Sequence, residues 1–183
     1  MTAILKVDTI QDTAGNNIIN ESSNTITIGA SGDTVAIPSG ATITGSGLGK
    51  VLQVVTATDG TVRNTTSSSF VTASNTLSVD ITPSSTSSKI FIIVNAAGYI
   101  NATGDANYTI YRGSTNLGGS NGMTAMYNET AAQINSSVAM SYLDSPSSTS
   151  ELTYQVYFKT AAGTAYLNYP SATASITTFE IAG

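Results

Sequence analysis

Four carboxylates, Asp105, Asp144, Glu151 and Glu180, are the candidates for acid–base chemistry in this chain. Cleaving a glycosidic bond needs only two such groups, about 5–9.5 Å apart, one as acid and the other as base or nucleophile. Asp144 and Glu151 flank one turn-rich stretch, DSPSSTS. The simpler reading, and the preferred one, is a solvated turn aspartate and a glutamate at a strand start. Histidine is absent, which removes imidazole acid–base chemistry, Ser-His-Asp triads and the usual zinc and iron ligands together. Cysteine is absent too, so neither disulfides nor thiolate metal sites are available. The acidic residues also lack the alternating spacing of a calcium loop.

Gly45, Gly47, Gly49 and Lys50 have the composition of a phosphate cradle but not its spacing. A P-loop requires glycine five residues before the Gly-Lys pair and Ser or Thr after it, and those positions hold Thr44 and Val51. No catalytic residue, metal or cofactor is expected, and the protein reads as a non-enzyme. Nine tyrosines and no tryptophan form the remaining candidate set. Tyrosine joins a flat apolar ring to a hydroxyl, which suits sugar stacking and protein interfaces alike. In a strand, alternation places Tyr108 and Tyr154 on the core face, while Tyr111 and Tyr157 point the other way and are free for a binding surface or a subunit seam.

The elements that must carry these residues are strands. Period-two alternation recurs along the chain, and no window keeps apolar positions at helical spacing. Three segments emerge. Residues 1–24 hold Ile4, Leu5, Val7 and Ile10, a turn at TAGNN, then Ile18 and Ile19, an extended or hairpin arm. Residues 25–49 repeat TITIG, TVAIP and ATITG and end in the Gly-rich joint GSGLGK. Residues 50–183 contain about eight alternating runs separated by turn-forming clusters, the spacing of an all-β sandwich. Within that head, ELTYQVYFK alternates as a strand with one wet face, whereas KIFIIVN is apolar on both faces. Ile90, Ile92 and Val94 take one side and Phe91 and Ile93 the other, so Phe91 and Ile93 meet either a covering loop or a subunit interface.

The middle segment cannot stand alone. Burial of Ile26, Ile28, Val35, Ile37 and Ile43 contributes at most about 1.5–3 kcal/mol each, whereas ordering about 20 residues costs about 1–2 kcal/mol apiece. Repetitive short strands gain a core when neighbouring repeats or chains stack on them, so these five residues are expected to form a seam between copies.

Composition narrows the partners. Of 183 residues only 9 % are charged, with net charge −5 and six scattered cations. Nucleic-acid affinity requires clustered Lys and Arg, so no nucleic-acid partner is expected. No apolar run reaches the roughly 18 residues of a membrane span, and the start lacks a signal-peptide layout, so neither membrane insertion nor Sec-type export is expected.

The stretches ILKVDTIQDTAGNNIIN and ITIGASGDTVAIPSGATITG resemble the N-terminal arm and shaft of tail-fibre-like virion surface proteins of tailed bacteriophages. KVLQVV, LSVDITPSSTSSKIFIIV, YTIYRGSTNL, MSYLDSP and SITTFEIAG resemble the β-sandwich head such proteins carry. The resemblance implies a homotrimer made in the host cytoplasm and mounted on the virion, at its capsid or tail surface. The arm of residues 1–24 would bind other virion proteins, the shaft of 25–49 would wind three chains together, and the head of 50–183 would meet a host glycan or protein. The fold class expected is therefore all-β, a short N-terminal β-shaft followed by a jelly-roll-like β-sandwich head. The function implied is a short trimeric tail fibre or receptor-binding adhesin. Two alternatives remain open: a capsid decoration protein that clamps the capsid surface and, from the carboxylates, a small polysaccharide depolymerase.

Overall fold

Every element seen in the computed structural model is a strand or a connection, as the alternating Ile, Val, Thr and Tyr dictate. The structure describes residues 9–11, 13–14, 17–22, 25–28, 31–36, 51–130 and 132–183. The chain divides into two units, Met1–Leu48 and Gly49–Gly183.

In the first unit, β1 (Thr9–Gln11), β2 (Asn17–Ser22) and β3 (Thr25–Ile28) form an antiparallel sheet in chain order. Its register sets Ile10 opposite Ile19 and Ile19 opposite Ile28. The expected arm and shaft share this sheet, because β3 is bonded along β2 from Ser22↔Thr25 to Ile19↔Ile28. The TITIG repeat is thus a strand, as expected. Residues 34–36 of TVAIP differ from expectation: they lie in no strand, and Val35 is exposed. Ile37, Ile43 and the Gly-rich joint lie outside the described residues.

The second unit contains β4 (Val51–Asp59), β5 (Arg63–Thr65), β6 (Val71–Thr72), β7 (Ser78–Ile81), β8 (Lys89–Ile100), β9 (Gly104–Arg112), β10 (Thr115–Asn116), β11 (Thr124–Asn128), β12 (Ile134–Asp144), β13 (Leu152–Thr160), β14 (Ala165–Leu167) and β15 (Ala174–Ile181). Two antiparallel sheets result. In one, β8 lies between β12 on one side and β15 with β14 on the other, and β4 pairs with β15 beyond. In the other, β9 lies between β11 with β10 and β13, and β7 with β6 pairs with the far side of β13. Numbering the eight strands of four or more residues along this unit from first to eighth, the sheets run 1-8-3-6 and 2-7-4-5.

One core lies between the sheets. Ile90, Ile92 and Val94 of β8, Val138 and Met140 of β12 and Ile176 of β15 come from the first sheet, and all are buried. Tyr108 and Ile110 of β9 and Tyr154, Val156 and Phe158 of β13 meet them from the second. The hydroxyl of Tyr108 crosses the core and donates to the Tyr166 carbonyl oxygen at 2.7 Å. Gly98 on β8 leaves room for that ring: a Cβ there would sit 2.7 Å from Val138, 2.8 Å from Met126 and 3.0 Å from the Tyr108 hydroxyl.

FVTASNTLSVDI, one of the alternating runs of residues 50–183, holds two strands, β6 and β7. Residues 73–77 bulge out between β6 and β7, with the Ala73 amide bonded to the Val156 carbonyl and the Val156 amide to the Leu77 carbonyl. Gln155 and a Ser74–Thr76 hydroxyl contact hold the bulge. Extra residues placed this way on an edge strand break its pairing register.

Candidate interaction surfaces

The carboxylates reach their positions on strand ends and faces. Asp144 closes β12, and its Oδ2 accepts hydrogen bonds from Arg112 at 2.7 Å and from the Tyr154 hydroxyl at 2.6 Å. It is buried, which corrects the expectation of a solvated turn aspartate: the side chain turns inward and ties the two sheets together at one end. Burial, and then the Asp144 carboxylate, push the Tyr154 hydroxyl well above its usual value. Burial opposes the charge on Arg112, but its bond and charge attraction to Asp144, with Tyr154, together outweigh this and raise its pKa.

Glu180 is a second buried acid, 1 % exposed. Its Oε1 accepts from the Ser84 amide at 2.7 Å and the Ser84 hydroxyl at 2.6 Å, and its Oε2 accepts from Gln53 Nε2 at 2.6 Å. Burial opposes ionisation, yet these donors, Ser84 first and then Gln53, hold the carboxyl below its usual range. Asp59 behaves in the same way. Burial opposes its charge, while Arg63 at 2.8 Å and the Thr61 amide at 2.9 Å prevail and lower its pKa.

The geometry ties these acids into the fold. Asp144 and Glu180 both pair with Ile90, one from each side, so their backbones stand about 10 Å apart at the usual strand spacing. Fully buried Ile90 lies between them, and both carboxylates accept hydrogen bonds from protein donors. Glu151 is exposed ahead of β13. Asp105 lies seven residues along β9 from Arg112, about 24 Å from the Asp144 pair at strand rise. Among the described residues no group of three or more His, Cys, Asp or Glu could hold a metal ion.

Tyr111 and Tyr157 do come together, on the outer face of the β9–β13 sheet. Their rings stack at 4.0 Å and 23°, because Tyr111 stands opposite Gln155 and therefore diagonal to Tyr157. Phe70 meets Tyr111 edge-on at 6.3 Å. Lys159 sits 4.8 Å above the Phe70 ring and donates to the Ser120 carbonyl at 2.8 Å. The loop carrying Ser120 folds over this face and is held by buried Asn107 and by Thr109 through Asn116.

Phe91 and Ile93 lie on the outer face of the other sheet, so the two sequence-derived pairs are on opposite sides of the unit. Phe91 stands opposite Leu143 on β12 and Phe179 on β15, and Phe179 stands opposite Val54 on β4. The four residues form an apolar row across the whole sheet, with Phe91 and Phe179 ring centroids 6.2 Å apart. Its ends are open to solvent, Leu143 being 50 % and Val54 55 % exposed. The next row is Ser141, Ile93, Thr177 and Thr56, in which the two threonine hydroxyls bond at 2.8 Å. Among the described residues no loop covers Leu143 or Val54 in the way Phe70 and Ser120 cover the tyrosines.

Sequence reasoning missed Tyr99, Tyr166 and Tyr169, which cluster with Tyr99 stacked on Tyr169 at 4.3 Å and 5.0 Å from Tyr166. Register sets Tyr99 opposite Tyr166 across β8 and β14, and Tyr169 joins them through its ring contacts. Among the described residues no helix is long and apolar enough to cross a membrane. No protein-family model matches this chain, and no curated protein matches its sequence.

Proposed function

We propose that this chain is a non-enzymatic structural protein of a tailed-phage virion, a short homotrimeric tail fibre or receptor-binding adhesin whose head presents a jelly-roll surface to the host. The observation that carries the reading is a well-packed two-sheet unit preceded in the chain by a small unit in which Ile10, Ile26 and Ile28 are exposed. Ile26 is 65 % and Ile28 56 % exposed, with Val35 exposed beside them in sequence. Apolar residues on a three-stranded sheet are expected to find a partner, and two further copies of the same strand provide one. The strand order 1-8-3-6 facing 2-7-4-5 supports the jelly-roll reading, a fold used by viral capsid and lectin domains. The likeness of the arm, shaft and head stretches to tail-fibre-like proteins supports the placement on a virion. Engagement of Asp144 and Glu180 in structural bonds supports a role without catalysis.

Host attachment would follow from avidity. Three weak head sites on one stalk raise the effective concentration of the second and third binding events, without any deep pocket. The half-buried Tyr111–Tyr157 stack, with Gln155 and Thr153 beside it on β13, is the head feature best suited to a glycan. An antibody raised to residues 51–183 and imaged on intact particles tests the placement. Label at the tail is expected. Label confined to the capsid would replace the adhesin with a decoration protein, and release of reducing ends from host capsule by the purified chain would overturn the non-enzymatic reading.

A further inference from the structure

We infer that the outer face of the β12–β8–β15–β4 sheet is a head-to-head interface between copies of this chain, closed only because the first unit tethers them. The inference rests on the proposed self-association and adds a second, distinct contact to it. Across this face the row Leu143, Phe91, Phe179 and Val54 is apolar from edge to edge. It is flanked by Ile93 in the row above, and by Ile181 opposite Val51 in the row below. Lys89 is the one charged side chain among the outward positions of these four strands. A face so poor in charge can meet its own copy without like-charge repulsion. The Thr56–Thr177 hydroxyl pair satisfies itself within the sheet, which lowers the cost of drying the neighbouring row.

Size argues for tethering. Four strands about 4.8 Å apart and three rows about 6.8 Å apart give a footprint of about 400 Å². A stable interface between free partners buries about 800 Å² per side. The face is therefore too small to assemble loose heads, and adequate once a linked contact supplies a high effective concentration. The chain provides that link, since β4, which carries Val51, Leu52 and Val54, starts three residues after Leu48, where the first unit ends.

The native chain has no cysteine, so single cysteines report contacts cleanly. Full-length chain carrying Thr56→Cys or Ser141→Cys is expected to cross-link between copies with a short bis-maleimide, whereas Asn75→Cys, at the exposed bulge of the other sheet, is not. Adding Val54→Lys with Leu143→Lys, both at exposed positions, is expected to abolish the cross-link while light scattering still reports an oligomer. An oligomer in which neither face cysteine cross-links would overturn the head interface and leave the shaft reading standing. A monomer would overturn both.

Discussion

Replacing Glu180 with glutamine tests the claim that a buried carboxylate pins the loop after β7 to the edge of the sheet. A glutamine turned to keep Oε1 on the Ser84 amide and hydroxyl puts its amide group against Gln53 Nε2, donor against donor. Gln53 cannot simply flip, because the same Nε2 donates to the Thr82 carbonyl at 2.8 Å. One bond is lost and two change from charged to neutral, about 3 kcal/mol in sum, and relief from burying a charge offsets part of it, leaving about 2 kcal/mol. The sign is fixed by the lowered pKa of Glu180: the fold favours the ionised form despite burial. Urea and thermal unfolding followed by tyrosine fluorescence at fixed chain concentration should show this loss, about 5 °C in midpoint. Because the folded-state pKa is depressed, the contribution is complete above the unfolded value of about 4.3 and fades as pH falls through the lower folded value. The gap between wild type and variant should therefore close on acidification. No gap at neutral pH, or one that does not change on acidification, would refute the reasoning.

Gly98→Ala should cost about 1–3 kcal/mol by overpacking against Val138, Met126 and the Tyr108 hydroxyl; urea unfolding unchanged from wild type would mean the Tyr108 crossing is not tight. Asp144→Asn removes the charge shared by Arg112 and Tyr154. Since the Arg112 side chain is 27 % exposed and can be rehydrated, the loss should be about 1–3 kcal/mol, short of the about 3–5 kcal/mol for breaking a fully buried pair. A neutral result in the same unfolding assay would contradict the inter-sheet tie. Ile26→Asp with Ile28→Asp should shift the full chain to monomer in sedimentation velocity while far-UV circular dichroism stays that of a β protein; retained association would remove β3 from the seam.

Much of the head was legible because strand faces follow from alternation. Tyr154, Val156 and Phe158 are buried, as ELTYQVYFK requires, and KIFIIVN reads as a central strand because both its faces are apolar. Buried acids were not legible. Asp144 and Glu180 occupy inward positions of β12 and β15, where a pattern of apolar and polar letters assigns them to solvent or a turn. Their partners, Arg112, Tyr154, Ser84 and Gln53, are brought by other strands and loops. The break in FVTASNTLSVDI was hidden for a related reason, since its cause is the pairing of Val156 with both Ala73 and Leu77. β11 gives little alternation signal because Met126 is its only buried apolar residue. The row from Leu143 to Val54 likewise joins four segments far apart in the chain, and only register brings them side by side.

The mass of the full-length chain in solution tests the central claim most directly. Multi-angle light scattering at micromolar concentration should give about three times the 18.7 kDa chain mass, since exposed Ile26, Ile28, Val54 and Leu143 would then find partners in other copies. A stable mass of one chain across that range would contradict the account.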